Sequence, residues 1–274
     1  MELGRIGIWH SRRKGDPRVI VPAVEQLGYG AFWLGGSPSV EQARAYVEAG
    51  ERIPVITGIL NVWQHDPADV ARDHAKLTSD HPDRFLLGIG IGHPEATSDY
   101  KRPLKTTREF FDGLDAAETP VPKDQRLAAA LGPRMLDLAA ERSLGTHPYF
   151  IDAQHTRFAR ERMGADALVA PEVAVVVEED PETAREIARA YAASYLQLSN
   201  YTGNLRKFGY TERDLENGGS DRLIDAVIPH GSPEQIADAV RTHLEAGADH
   251  VCLQPLGHGD EPLEDFAALA KALL

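Results

Sequence analysis

The sequence predicts a (β/α)8 TIM barrel. Three observations carry that expectation. Short apolar runs alternate with amphipathic segments, the alternation occurs eight times, and 274 residues suit a barrel built as one domain, 1–274. The rival for the same alternation is an open doubly wound sheet.

LGRIGIW (3–9) reads as the first strand and VPAVEQLG, closed by Gly28, as its helix. YGAFWLG (29–35) is the second strand, followed by VEQARAYVEAG, a helix ended by Gly50. IPVITGIL (53–60) is rich in β-branched residues and is the third strand. Asp66 supplies an N-cap and Pro67 a first helical residue for DPADVARDHAKL. RFLLGIGI (84–91) is the fourth strand, and LKTTREFFDGLDAAE its helix. RLAAAL (126–131) passes through Gly132-Pro133 into RMLDLAAER, and THPYFI (146–151) precedes AQHTRFARERMG. ALVAPEVAVVVE (167–178) is a long seventh strand, and Asp180-Pro181 caps the helix after it. Ser232 and Gln235 form a capping box opening QIADAVRTHLEAG. HVCLQPL (250–256) is the last strand and LEDFAALAKALL the last helix. Residues 199–231 are polar and glycine-bearing, and read as an irregular insertion or lid before the eighth strand.

The charge balance is 29 basic against 42 acidic residues, a net −13. That argues against nucleic acid and against anionic membranes, but not against a phosphorylated small ligand. Cys252 is the single cysteine, so no disulfide framework forms and a reducing compartment fits. MELGRIGIWH has no charged n-region or long apolar run, and no run in the chain approaches a membrane span. A soluble cytoplasmic protein is the expectation.

Barrels carry their chemistry at the C-terminal ends of the strands. In RFLLGIGIGHP, Gly88, Gly90 and Gly92 share one face of the fourth strand. The pattern is no dinucleotide fingerprint, because Pro94 follows where a helix should start. A face without Cβ atoms leaves room for something flat and wide. Gly88 reads equally well as tight packing, whereas Gly92, at the mouth, reads as ligand clearance. Gly58 in VITGIL suggests a bulge or a close backbone approach. In ALGPRM, Gly132 and Pro133 open a helix whose N-terminus suits a phosphate, and Arg134 in its first turn opposes the helix dipole unless it faces an anion. His10, His65, His93 and His147 lie near strand ends without a carboxylate pair at ligand spacing. A single imidazole acting as donor fits better than a metal.

Several segments, in order, resemble one family. RFLLGIGIGHPE, VITGILNVWQHDPADVA, LAAALGPRMLDLAAERSLGTHPYFI and GSPEQIADAVRTHLEAGADHVCLQPLG are similar to the bacterial-luciferase-like superfamily. More narrowly they resemble its oxidoreductases that use the deazaflavin coenzyme F420. The resemblance runs over essentially the whole chain, including NYTGNLRKFGY and GGSDRLIDAVI in the insertion. It implies a luciferase-like barrel whose mouth holds the tricyclic ring. It implies a cis peptide at Gly58–Ile59 against the back of the ring, with Thr57 and Asn61 placed to hydrogen-bond ring heteroatoms. The coenzyme phosphate is expected at Leu131, Gly132, Pro133 and Arg134. The implied chemistry is hydride transfer between the deazaflavin and a small organic substrate, and FMN is the alternative cofactor.

Sugar-phosphate dehydrogenases of this family carry a histidine after the second strand and a glutamate after the fourth. Here LGGSPS has no histidine, and the place of the glutamate falls on His93. His93 is therefore the candidate proton donor or ligand to the ring carbonyl, with Gly92 clearing the ring. His147 and Tyr149 are candidates for substrate or phosphate contact, and Trp9, Trp33 and Trp63 for an apolar substrate wall. The alternatives are an FMN-dependent monooxygenase and a non-catalytic flavin- or deazaflavin-binding protein. A non-redox barrel enzyme ranks last, because no strand end offers a Schiff-base lysine. The resemblance also allows a homodimer.

Overall fold

The computed structural model describes residues 1–96 and 100–274. In chain order its elements begin β1 (Ile6–Ser11), α1 (Pro17–Gln26), β2 (Phe32–Gly35), α2 (Val40–Ala49), β3 (Val55–Thr57), β4 (Leu60–Asn61) and α3 (Pro67–Asp80). There follow β5 (Phe85–Gly90), α4 (Pro103–Ala116), β6 (Arg126–Ala128), α5 (Pro133–Arg142), β7 (Gly145–Thr146) and α6 (Ala153–Met163). The chain continues through β8 (Leu168–Val169), β9 (Glu172–Val177), α7 (Pro181–Tyr195), α8 (Ser199–Lys207), α9 (Glu212–Leu215) and α10 (Asp221–Val227). It ends with β10 (His230–Gly231), α11 (Pro233–Glu245), β11 (Val251–Pro255) and α12 (Leu263–Leu273).

Among the described residues eight staves close a parallel barrel. β1, β2, β5, β6, β7 and β11 are one stave each, β3 with β4 makes the third, and β8 with β9 makes the seventh. The ladder runs from β1 through β2, β3, β5, β6 and β7 to β8, continues along the chain into β9, and returns through β11 to β1. The sheet is therefore closed, and the open doubly wound alternative falls away.

Side chains alternate across the staves. Phe32, Leu34, Val55, Phe85, Leu87 and Leu253 pack in the cluster shared with the helices. Trp33, Ile56, Leu86, Leu127, Ala170 and Cys252 form the layer that fills the barrel. Helix starts follow the capping chemistry of the sequence. Asp66 accepts from the N–H groups of Ala68 and Asp69, Asp180 from that of Thr183, and Ser232 forms a capping box with Gln235. α5 differs: its N-cap is Gly132, and no side chain caps it.

Stave ends depart from the expected bounds for local reasons. The first stave starts at Ile6 rather than Leu3, after Gly4 in the left-handed region (φ 61°). The sixth spans only Gly145–Thr146, because Pro148 has no N–H to donate and Phe150 (φ 54°) turns the chain away. The seventh breaks at Ala170–Pro171 for the same lack of a donor.

Residues 199–231 depart most. They were expected to be irregular, yet they hold α8, α9 and α10. Tyr201, Leu205, Leu223, Ile224, Val227 and Ile228 bury against Ala184, Ala188 and Ala192 of α7. Apolar residues at helical spacing, capped by Ser220 and by the Thr211–Asp214 box, outweigh the polar composition. Among the described residues no helix is long and apolar enough to cross a membrane.

Candidate active site

The C-terminal ends of the staves open on a cavity of about 740 Å³. Staves one to six contribute to its lining, and α7 and α8 roof it.

One wall is nearly bare of side chains. It consists of Gly58, Gly90 and Gly92, with Ile59 and Asn61. The Gly58–Ile59 peptide is cis, and Trp9 Nε1 donates to the Gly58 carbonyl at 3.2 Å. A Cβ on Gly88 would lie 2.0 Å from the Thr57 carbonyl oxygen, and one on Gly90 2.6 Å from the Ile59 side chain. These two glycines admit the bulge of the neighbouring stave. Gly92 has φ 65° and turns the chain at the cavity mouth, with Asn61 the nearest group to its missing Cβ, at 3.4 Å.

Thr57 does not face this space. It is fully buried, donates its hydroxyl to Gly88 O and accepts from Gly88 N–H, both at 2.8 Å. It ties stave three to stave four. Pro133 and Arg134 also lie outside the lining, Arg134 on the exposed surface, whereas Leu131 and Gly132 line the cavity. Of the three tryptophans only Trp9 lines it. Trp33 is fully buried, with its Nε1 donating to His250 Nε2 at 2.9 Å, and Trp63 donates to Ile91 O at 2.7 Å.

Another part of the lining is aromatic. Trp9 and Tyr149 have ring centroids 5.6 Å apart, Tyr149 and Tyr195 5.5 Å, and His93 and Tyr201 4.8 Å. The Tyr149 hydroxyl donates to Gln254 Oε1 at 2.7 Å and meets the hydroxyls of Tyr191 (2.5 Å) and Tyr195 (3.1 Å). Its hydrogen-bonding capacity is spent, so Tyr149 offers the cavity its ring. Behind it lies Glu172, fully buried, with Oε1 lacking a partner among the described residues. Burial pushes that carboxyl up to about 8, so it holds its proton at neutral pH.

Two histidines line the cavity, and both are neutral at pH 7. Burial pushes His147 down to about 4. With Ala170 O 2.8 Å away, Nδ1 carries the proton and Nε2 is left as a buried acceptor without a partner among the described residues. Burial also lowers the pKa of His93. Asn200 Nδ2 lies 3.4 Å from His93 Nδ1 and 3.3 Å from both Gly92 O and the Tyr100 hydroxyl. An amide donor on Nδ1 leaves the His93 proton on Nε2.

α8 roofs the site and carries lining residues that the sequence reading missed: Asn200, Tyr201, Asn204 and Lys207. Glu95, in the loop after stave four, accepts the Ser199 N–H at 2.9 Å and so anchors the first turn of α8. Tyr195, Tyr201 and Lys207 are polar-tipped residues on helices that also bury apolar faces, and that amphipathic spacing was the available signal. Ser11 enters from the end of stave one, and Arg13 and Ser37 from the loops after staves one and two.

A family model described as luciferase-like monooxygenase matches residues 16–250. A search of curated proteins finds no match. Among solved structures, an F420-dependent secondary alcohol dehydrogenase, in complex with an F420-acetone adduct, is similar with TM-score 0.78, 14% identity and 98% of each chain covered. The coenzyme F420-dependent tetrahydromethanopterin reductase from Methanopyrus kandleri gives 0.75 at 14% identity, over 100% of this chain and 99% of that one. The oxygenating constituent of 3,6-diketocamphane monooxygenase from Pseudomonas putida, a type II Baeyer-Villiger enzyme in complex with FMN, gives 0.69 at 14% identity over 99% of each. At these identities the likeness shows the fold.

Proposed function

Because this chain belongs to the luciferase-like monooxygenase family, we propose that it is an oxidoreductase that uses coenzyme F420 to exchange a hydride with a small organic substrate. The observation that carries this reading is the side-chain-poor surface of Gly58, Ile59 and Gly92 in the cavity, against which a flat ring can lie. Trp9, Tyr149 and Tyr201 line the same cavity, with Trp9 hydrogen-bonded to Gly58 O. The phosphate end is supported separately. Gly132 opens α5 without a side-chain cap, a Cβ there would meet nothing within 4 Å, and Lys207 lines the same cavity. Asn204, one turn earlier on α8, lines it too and has a buried Oδ1 without a partner among the described residues.

The bound deazaflavin would supply a ring carbon that gives or takes a hydride and reacts poorly with oxygen. The chain supplies the rest. Gly58, Ile59 and Gly92 set the plane of the ring, with Asn61 beside them. Leu131, Gly132 and Lys207 receive the phosphate. His147 Nε2 accepts a hydrogen bond, and His93 Nε2–H donates one toward a carbonyl. α8 keeps water out of the roofed space. FMN is the second reading, favoured by the FMN-bound monooxygenase among the structural relatives.

The activity test incubates the protein, without oxygen, with reduced F420 and a panel of ketones and enones, following the return of coenzyme absorbance. Turnover of any panel member supports the reading. Turnover only with reduced FMN and oxygen would replace it with the monooxygenase reading. Tight F420 binding without turnover, on this panel and on the matching alcohols with oxidised F420, would leave a carrier.

A further inference from the structure

The cavity's charge is one-sided. Among its described lining residues the ionised side chains at neutral pH are Arg13 and Lys207, both cations, in a chain with 42 acidic residues. They enter from different quarters of the barrel. Arg13 follows stave one, and Gly36 and Ser37 of the loop after stave two share its cavity lining. Lys207 ends α8 near stave five: its charge bears on His155, whose Nε2 contacts Leu131 O at 3.0 Å. Staves one and five stand opposite each other in an eight-stave ring. A cofactor phosphate held at Gly132 and Lys207 therefore leaves the cation on the far side without an assigned partner.

The Arg13 end is equipped for one kind of group. Arg12 is committed elsewhere, with Nε donating to Gly36 O at 2.8 Å. Arg13 forms no ion pair among the described residues, and Ser11 Oγ accepts its backbone N–H at 3.3 Å. The Trp9 indole lies at the base, oriented by its bond to Gly58 O, with Tyr149 tilted 58° against it. A planar fork donor and the aromatic faces of Trp9 and Tyr149 in one cavity lining match a carboxylate carried on a flat ring.

We propose that the substrate of this site is a planar aromatic or conjugated carboxylate, its anion received by Arg13 and its ring by Trp9 and Tyr149. The term substrate rests on the redox reading above; the anion site itself is tested apart from it. The probes are 2-naphthoate and its uncharged isostere 2-naphthamide, titrated calorimetrically into the full chain with and without saturating F420. The expected result is naphthoate tighter by about fivefold or more, the size of a partly exposed charged contact, in both conditions. Arg13→Gln, on an exposed loop, is expected to bring the two probes to parity at unchanged melting temperature, with F420 affinity kept within about twofold. Lys207→Gln is expected to weaken F420 and keep the probe preference. Parity in the unsubstituted protein overturns the proposal, as does a preference that survives Arg13→Gln. Loss of the preference on saturation with F420 would give Arg13 to the cofactor and also overturn it. Failure of F420 to bind, with the Arg13-dependent preference intact, would overturn the cofactor reading and keep the anion site.

Discussion

Thr57 shows how one hydroxyl can look like a ligand contact and be a rivet. In the sequence it precedes Gly58, and the family resemblance implies a role toward the ring. In the fold its hydroxyl is shared between the N–H and C=O of Gly88. Thr57→Val, nearly isosteric, strands both buried groups and is expected to cost about 2 kcal/mol, whereas Thr57→Ser keeps most of that stability. Urea midpoints of the two variants check this. Gly88 is the other half of the pair. The question its missing side chain raised is answered by packing, since the space belongs to the Thr57 carbonyl. Gly92 and His93 line the cavity. His93→Ala is expected to lower kcat by about a hundredfold or more while leaving F420 affinity within a few-fold, the split that marks a donor acting on the reacting group. Steady-state kinetics beside a binding titration reads it, and equal losses in both would make His93 a cofactor contact only.

At the scale of elements, the eight staves were legible because each is a short apolar run between amphipathic segments. Their ends were not, because Gly4, Pro148, Phe150 and Pro171 act through backbone geometry that hydrophobicity does not record. The insertion was the larger miss. α8 holds SNYTGNLRK, with one leucine and one glycine in nine residues, and reads as a loop until Tyr201 and Leu205 find α7. The roof of the candidate site hangs on that element, so Gly58, Gly92, His93 and His147 at the stave ends were legible, whereas Asn200, Tyr201, Asn204 and Lys207 of α8 were not. α8 is pinned at its start by Glu95, a carboxylate from another element set against a helix N-terminus. Glu95→Ala is expected to free that turn. Hydrogen exchange of the backbone amides in 199–203 should quicken by about tenfold, while those of α11 stay unchanged. Unchanged exchange in α8 would show that the aromatic packing of Tyr201 alone holds the roof.

The whole molecule carries an unusual set of buried titratable groups, and they give stability a definite pH profile. His74, His147, His243 and His250 are each pushed down by burial to about 4. Unfolded, they titrate near 6.5, so between 6.5 and 4 the unfolded chain takes up protons that the fold refuses. Stability is therefore full above that range and falls as pH drops through it, by up to about 1.4 kcal/mol per pH unit for each histidine. Glu172 acts in the opposite sense. Its folded pKa of about 8 stands above the ordinary 4.5, so stability falls as pH rises from 4.5 to 8 and levels off beyond. Glu172→Gln is expected to remove only this second fall. Denaturation midpoints between pH 7 and 8 should decline in the unsubstituted protein and stay level in the variant. Of these groups only His147 lines the candidate cavity, and the proposed function turns on what that cavity holds. Titration of the purified protein with F420 and, separately, with FMN, followed by ligand fluorescence, tests it most directly. F420 is expected to bind saturably in the micromolar range, more weakly to Lys207→Ala, and FMN to show no comparable binding. Saturable binding of FMN with none of F420 would contradict it.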